Sequence, residues 1–297
     1  MRQRHPALPA PPAASPVPPS TVWSLVMSAS ASSSPSVQLY SVRDAMERDL
    51  SGTIARLADI GFTHVEPYAF AERTEELAAA FTAAGVSAPS GHAAVIDADD
   101  PARIFDAAER LGINAVIDPF VPSERWQSID DAHRLAERVN ELQTLAAARG
   151  LRFGYHNHQW EFANRVQGRP VYEHFVEHLN FDVILELDAF WSTVGGMDTP
   201  ALLQSLGARV QFIHVKDGII GGDIATSLPS SDSALDVPPS LSAAFKQQTP
   251  AGQGEVGVKA ILAAAPQAVR VVEFDDYAHD IFEGLAASLT WLQENDR

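Results

Sequence analysis

From Val37 onward, short apolar runs alternate eight times with longer stretches of helical periodicity, and few folds accommodate that count. Alternating strand and helix patterns imply parallel strands joined by helical crossovers. The strands read as Val37–Tyr40, Thr63–Pro67, Val86–His92, Ala115–Asp118, Arg152–His158, Val183–Asp188, Val210–Lys216 and Val269–Phe274. Helices are expected at Leu50–Ile60, Glu72–Ala84, Pro101–Leu111, Ile129–Arg149, Val171–Leu179, Pro200–Leu206, Val258–Ala264 and Ile281–Gln293. Gly61, Gly85, Gly112 and Gly150 each separate a helix from a strand, where a left-handed residue ends a helix at little cost. Eight such units specify an α/β fold, a single (β/α)8 TIM barrel, for which about 250 residues are usual. The rival, an open doubly wound sheet, usually carries a glycine-rich phosphate turn after its first strand. Here Tyr40 is followed by Ser41-Val42-Arg43-Asp44, without glycine.

The sequence divides into a Pro/Ala/Ser-rich N-terminal tail, 1–36, expected to be disordered, and one barrel domain, 37–297. The apolar stretch Val22 to Met27 is too short to span a bilayer. Prolines interrupt the continuous apolar run that a signal peptide needs after Arg2 and Arg4, so the cytoplasm is the expected location. Met27 offers an alternative start. With 38 acidic against 21 basic side chains, the formal net charge of −17 repels phosphate backbones and anionic lipid. Neither nucleic acid nor a membrane is an expected partner. There is no cysteine, so any metal must be held by imidazole and carboxylate. The irregular stretch Gly218–Gly254 contains Pro229, Pro238, Pro239 and Pro250 and reads as either a lid over the barrel mouth or a mobile insertion.

Chemistry in such barrels gathers at the C-terminal ends of the strands. Because side chains alternate along a strand, Glu186 and Asp188 share one face of strand six, and Phe212, His214 and Lys216 share one face of strand seven. Gly154, His156 and His158 do the same on strand five, while strand eight ends at Glu273 with Asp275 two residues on. Each alone is readily a polar group capping the barrel. Together, without a counter-ion, they would carry a large desolvation cost at one apolar mouth. Their convergence favours one divalent cation, Mn²⁺, Mg²⁺, Co²⁺ or Zn²⁺, or a charged ligand.

The run Tyr155-His156-Asn157-His158-Gln159-Trp160-Glu161-Phe162 resembles the strand-five signature of the xylose-isomerase-like TIM barrel family, the sugar phosphate isomerase/epimerase group. Val37 to Arg43, Leu187 to Trp191, His214 to Asp217, Gly252 to Val256 and Val272 to Asp275 resemble that group's pattern in the same order. The resemblance implies one divalent cation bound through Asp188, His214 and Glu273. The fourth ligand is open: the strand-five position that carries Glu in many relatives is His156 here, and Glu161 follows a few residues later. Implied too is isomerisation or epimerisation of a sugar, phosphorylated or not, through an enediolate. Glu273 and Glu161 would move the proton with pKa values raised by their enclosed setting, and Lys216 would hold an oxyanion or a phosphate. His158, Glu66, His92, Trp160 and Trp191 would contact the substrate. Dehydratases of keto-inositols and lyases of 3-keto-glycosides share the resemblance, and a non-catalytic sugar-binding barrel is a further alternative. A DNA-repair endonuclease on the same barrel needs more metal ligands and a basic surface, which the net charge of −17 does not offer. The expected partner is a small-molecule carbohydrate, with a homo-oligomer left open.

Overall fold

Eight parallel strands form the central sheet: β1 Ser36–Gln38, β2 His64–Glu66, β3 Ser90–His92, β4 Ala115–Asp118, β5 Arg152–His156, β6 Ile184–Asp188, β7 Val210–Val215 and β8 Val269–Val272. The computed structural model describes residues 34–221, 241–242 and 245–296. Most of the expected tail, and the middle of the expected lid or insertion, lie outside the described residues. The spatial order β2-β1-β8-β7-β6-β5-β4-β3 is the chain order wrapped into a ring, with β2 and β3 at the ladder ends. Between these two, Val65 N donates to Ser87 O at 2.9 Å, Ser87 N to Thr63 O at 3.1 Å and His92 N to Pro67 O at 2.8 Å. The barrel is therefore nearly closed. The expected strand Val86–His92 shortens to Ser90–His92, because Pro89 has no N–H to give to a ladder.

Outside the strands pack the helices α1 Leu50–Ile60, α2 Thr74–Ala84, α3 Pro101–Leu111, α4 Ile129–Ala147, α5 Val171–His178, α6 Thr199–Leu206, α7 Val258–Ala264 and α8 Ile281–Asn295. Side-chain caps fix several starts. Asp100, just before Pro101, accepts from Arg103 N, Ser128 accepts from Asp131 N, and Asp280 accepts from Phe282 N and Glu283 N, each satisfying a donor the helix leaves free. The four glycines expected to end helices all have positive φ, between 69° and 116°. Short helices at Arg43–Arg48, Trp160–Ala163 and Ala189–Val194 were not signalled by periodicity. The last two shape the mouth. Among the described residues no helix is long and apolar enough to cross a membrane.

The main apolar core lies between barrel and helices, where Leu57, Phe105, Val139, Phe175 and Leu285 are wholly buried. Inside the barrel, Ala115, Ile117, Ile184, Phe212 and Val271 form a separate plug. Gly154 belongs to this crowded wall, since a Cβ there would overlap the Ile184 carbonyl. Towards the strands' C-terminal ends the inward side chains turn polar: Gln38, Glu66, Ser90, His92, His156, Glu186 and His214 are each at most 5 % exposed.

Candidate active site

Asp188 and His214 close β6 and β7, and Glu273 follows β8 directly. These three place ligand-capable atoms within 4.8 Å of one another, as strand parity requires. Asp188 uses its oxygens differently. Oδ1 accepts the Trp191 N–H at 2.8 Å, capping the helix Ala189–Val194, while Oδ2 is paired with the Lys216 ammonium. Lys216 Nζ lies 3.0 Å from that Oδ2, 2.8 Å from Glu273 Oε2 and 2.9 Å from Asp275 Oδ2. His214 Nδ1 is 2.7 Å from Glu273 Oε2, and its Nε2 faces inward, 2.8 Å from Glu66 Oε1.

One step deeper, Glu186 gathers three imidazoles. Its Oε2 is 2.5 Å from His92 Nε2, 3.0 Å from His214 Nε2 and 3.1 Å from His156 Nδ1. This quartet also brings ligand-capable atoms within 4.8 Å. His156 Nε2 points the other way, 4.0 Å from Asp188 Oδ2, so His156 links the two layers. Sequence parity put Glu186 on the Asp188 face without assigning it a role. Glu66, expected to touch substrate, instead lies wholly buried in the barrel, accepting from Gln38 Nε2 at 2.8 Å and from Ser90 Oγ.

The charges follow from these contacts. Burial would lower the His214 pKa, but Glu186 and Glu273 at its two ring nitrogens hold it well above the ordinary value. Burial and the positive His214 push His156 down to about 3, which leaves a neutral imidazole with a lone pair to donate. Burial would raise Glu186, yet His214 and His92 hold it well below the carboxylate range. Glu66 is raised by burial and by the Glu186 charge. Burial pushes Asp188 up to about 6 against the pull of Lys216. Glu273 departs from expectation: burial would raise it, but Lys216 and His214 hold it well below the usual range.

Glu161, the other expected proton-transfer group, is not brought to this cluster. The turn Trp160–Ala163 is helical, and a helix rotates successive side chains by about 100°. Trp160 therefore faces the mouth while Glu161 turns behind β5, fully buried, accepting from Tyr155 Oη at 2.9 Å and His158 N at 3.0 Å. Burial pushes its carboxyl up to about 8 against those hydrogen bonds. Of the two alternatives for a fourth ligand, His156 is the one beside the cluster.

Above the carboxylates opens a cavity of about 440 Å³. His92, His156, Glu273 and Asp275 line its polar end. Aromatic pairs line the remainder: Tyr40 with Tyr68, Phe120 with Trp160, and Trp191 with Phe245, their centroids 5.4, 5.6 and 5.7 Å apart. His158 lies flat on Trp160 at 4.5 Å, its pKa held well below the ordinary value by burial and by His156. Of the expected substrate contacts, His158, His92, Trp160 and Trp191 line this cavity.

The two glycine- and charge-bearing motifs that flank the mouth prove to be one device. The Asp217 carboxylate accepts from Gly218 N at 2.8 Å and Val256 N at 3.1 Å through Oδ1, and from Gly252 N at 2.9 Å and Gly254 N at 3.0 Å through Oδ2. Gly254 is needed there because a Cβ would overlap the carboxylate. The segments Asp217–Gly218 and Gln248–Thr249 pair antiparallel beside it.

The family model of the xylose isomerase-like TIM barrel matches residues 54–293. The chain belongs to that family. Solved xylose isomerase-like barrels similar to it include a sugar phosphate isomerase/epimerase from Parabacteroides distasonis ATCC 8503, with TM-score 0.68, 21 % identity, and 89 % of this chain and 95 % of that one covered. The probable 3-DHS dehydratase AsbF of Bacillus anthracis matches with TM-score 0.63 and 15 % identity over 88 % of this chain and 99 % of its own. The IOLI protein, with a binding zinc atom, matches with TM-score 0.62 and 15 % identity over 88 % and 97 %. At these identities the likeness is one of fold. No curated protein matches the chain by sequence.

Proposed function

We propose that this xylose isomerase-like barrel is a divalent-metal-dependent sugar isomerase or epimerase that moves a proton beside a substrate carbonyl through an enediolate. The observation that carries this reading is the convergence of Asp188, His214 and Glu273 within 4.8 Å, with Glu273 reaching the cavity lining. The donors fit a cation on three grounds. Asp188 Oδ2 is buried and ion-paired with the Lys216 ammonium, 3.0 Å away, which it shares with two other carboxylates. His156 is a neutral imidazole whose Nε2 approaches that same oxygen. Asp188, Glu273 and Asp275 face two cations, the ammonium of Lys216 and the charged His214, which leaves net negative charge in a buried place.

Asp188, His214 and Glu273 would hold the ion, with His156 as fourth ligand, and the mixed nitrogen and oxygen set suits Mn²⁺, Co²⁺ or Zn²⁺ better than Mg²⁺. Bound there, a divalent cation would polarise a substrate carbonyl and acidify the neighbouring carbon. Glu186 fixes the His156 ring through Nδ1, the outer-layer arrangement that orients metal-binding imidazoles. Glu273, tied to His214 and Lys216, is better suited to hold a cation than to accept a proton at neutral pH. His158, a neutral imidazole, lines the cavity beside His156 and would act as the base. Lys216 would steady a developing oxyanion. With Glu161 behind β5, no carboxylate reaches the mouth from that side, which favours a one-base proton shift over a two-base inversion.

A second reading, a lyase or dehydratase on keto-inositols or 3-keto-glycosides, is favoured by one observation: the aromatic end of the cavity adjoins the carboxylates and leaves room for a departing group. Incubation with Mn²⁺ and ketoses, keto-inositols or 3-keto-glycosides in deuterated water separates the two. Deuterium incorporation with the substrate otherwise intact is the expected result. Release of water or aglycone supports the lyase, and absence of exchange and release across the whole panel argues for a non-catalytic barrel.

A further inference from the structure

The proton-transfer chemistry leaves two parts of the mouth unused: the aromatic end of the cavity and the clamp around Asp217. Resting on the reading that the site takes a carbohydrate, we infer that its substrate is an uncharged keto-glycoside, an unphosphorylated sugar that bears a ring ketone and a flat apolar aglycone, and not a sugar phosphate.

The clamp argues against phosphate. Barrels of this kind commonly grip phosphate with backbone N–H groups in the loops after strands seven and eight, where such groups form a concave anion site. This chain has the glycine-rich array after β7, but its N–H groups at Gly218, Gly252, Gly254 and Val256 are already spent on Asp217. An internal carboxylate occupies the position an external anion would take. Side chains do not make up the deficit. Among the described residues no lysine or arginine lines the cavity, and Lys216 beneath it is shared by three carboxylates. Glu273 and Asp275 at the polar end would repel a phosphate dianion.

The walls argue for an aglycone. Phe120 and Trp160 form one side, and Trp191 with Phe245 and Leu241 another. Flat aromatic surfaces stack on flat apolar groups. At about 440 Å³ the cavity falls in the roughly 300–1,000 Å³ range of pockets that enclose drug-sized ligands.

Calorimetric titration of the full chain, saturated with Mn²⁺, against phenyl β-D-glucopyranoside, glucose, phenol and glucose 6-phosphate tests the inference without relying on turnover. Phenyl glucoside should bind at least about tenfold more tightly than glucose or phenol, as one stacked ring warrants, and glucose 6-phosphate no more tightly than glucose. Phe245→Ala, at a half-buried position, should remove the phenyl glucoside advantage while leaving glucose unchanged. Tighter binding of glucose 6-phosphate than glucose, or equal binding of glucose and phenyl glucoside, overturns the substrate class and leaves the carbohydrate reading standing. Binding of phenol alone, or of none of the four, overturns the carbohydrate reading and this inference with it.

Discussion

Asp188 caps a helix with one oxygen and meets the Lys216 ammonium with the other. An asparagine there keeps an oxygen for the Trp191 N–H and removes the negative ligand. Asp188→Asn is therefore expected to fold with a melting temperature lowered by the lost ion pair with Lys216 and to lose Mn²⁺ affinity by at least about tenfold, read by calorimetry and by metal content after desalting. Full retention would show that the ligand set is wrong. Glu161 gives a different signal. Its carboxyl titrates at about 8 in the folded chain, against an ordinary value of 4.5, so the folded state holds a proton that the unfolded chain releases first. The stabilising contribution is complete below about pH 4.5 and is lost as pH rises towards about 8. Glu161→Gln removes that dependence, and Tyr155 can turn its hydroxyl to accept from the amide. Relative to the parent, the variant should gain stability between about pH 5 and pH 8, by at most about 4 kcal/mol at roughly 1.4 kcal/mol per pH unit. Urea unfolding at both pH values measures it, and an unchanged difference would mean that Glu161 is ionised in the folded protein. Alternation along strands made Asp188, His214 and His156 legible in the sequence. Glu161 was not, because its direction depends on a helix too short to leave a periodic trace.

The elements divide along the same line. Long helices and apolar strands declare themselves by period, whereas turns such as Trp160–Ala163 and Ala189–Val194 contain too few residues to do so. Prolines set other limits, as Pro89 does for β3. The clamp after β7 was visible only as two separate motifs, since nothing in their spacing says that one carboxylate receives the other's N–H groups. Asp217→Ala strands two of those donors, the N–H groups of Gly218 and Val256, in a buried place, at a cost of about 3 kcal/mol, seen as a lowered melting temperature. The missing carboxylate has the size of formate. Formate should therefore restore part of the loss in the variant, compared with chloride at equal ionic strength, and leave the parent unaffected. No response to formate would mean that the loop reorganises and hides its donors.

At the scale of the whole molecule, the count of eight was legible and the closure was not. Where the ring is tied most loosely depends on how β2 meets β3, and there a few backbone bonds replace a continuous ladder. Amides of Val65, Ser87 and His92 are expected to exchange with deuterium ahead of those of Tyr155 and Leu185 on the continuously paired β5 and β6, since local opening is easiest where pairing is sparse. Uniform protection around the ring would contradict this. The cavity was half legible: Trp160 and Trp191 stood out beside motifs, but Tyr40, Tyr68, Phe120 and Phe245 follow different strands and meet only when the sheet is wrapped. The Asp217 clamp has a consequence for descent within the family. A barrel that keeps its own anion indoors need not recruit one from the substrate, and a single-nucleotide change at one codon suffices to evict it. Neutral and anionic sugars would then be neighbouring niches on the same scaffold, reachable without altering any residue that handles the proton.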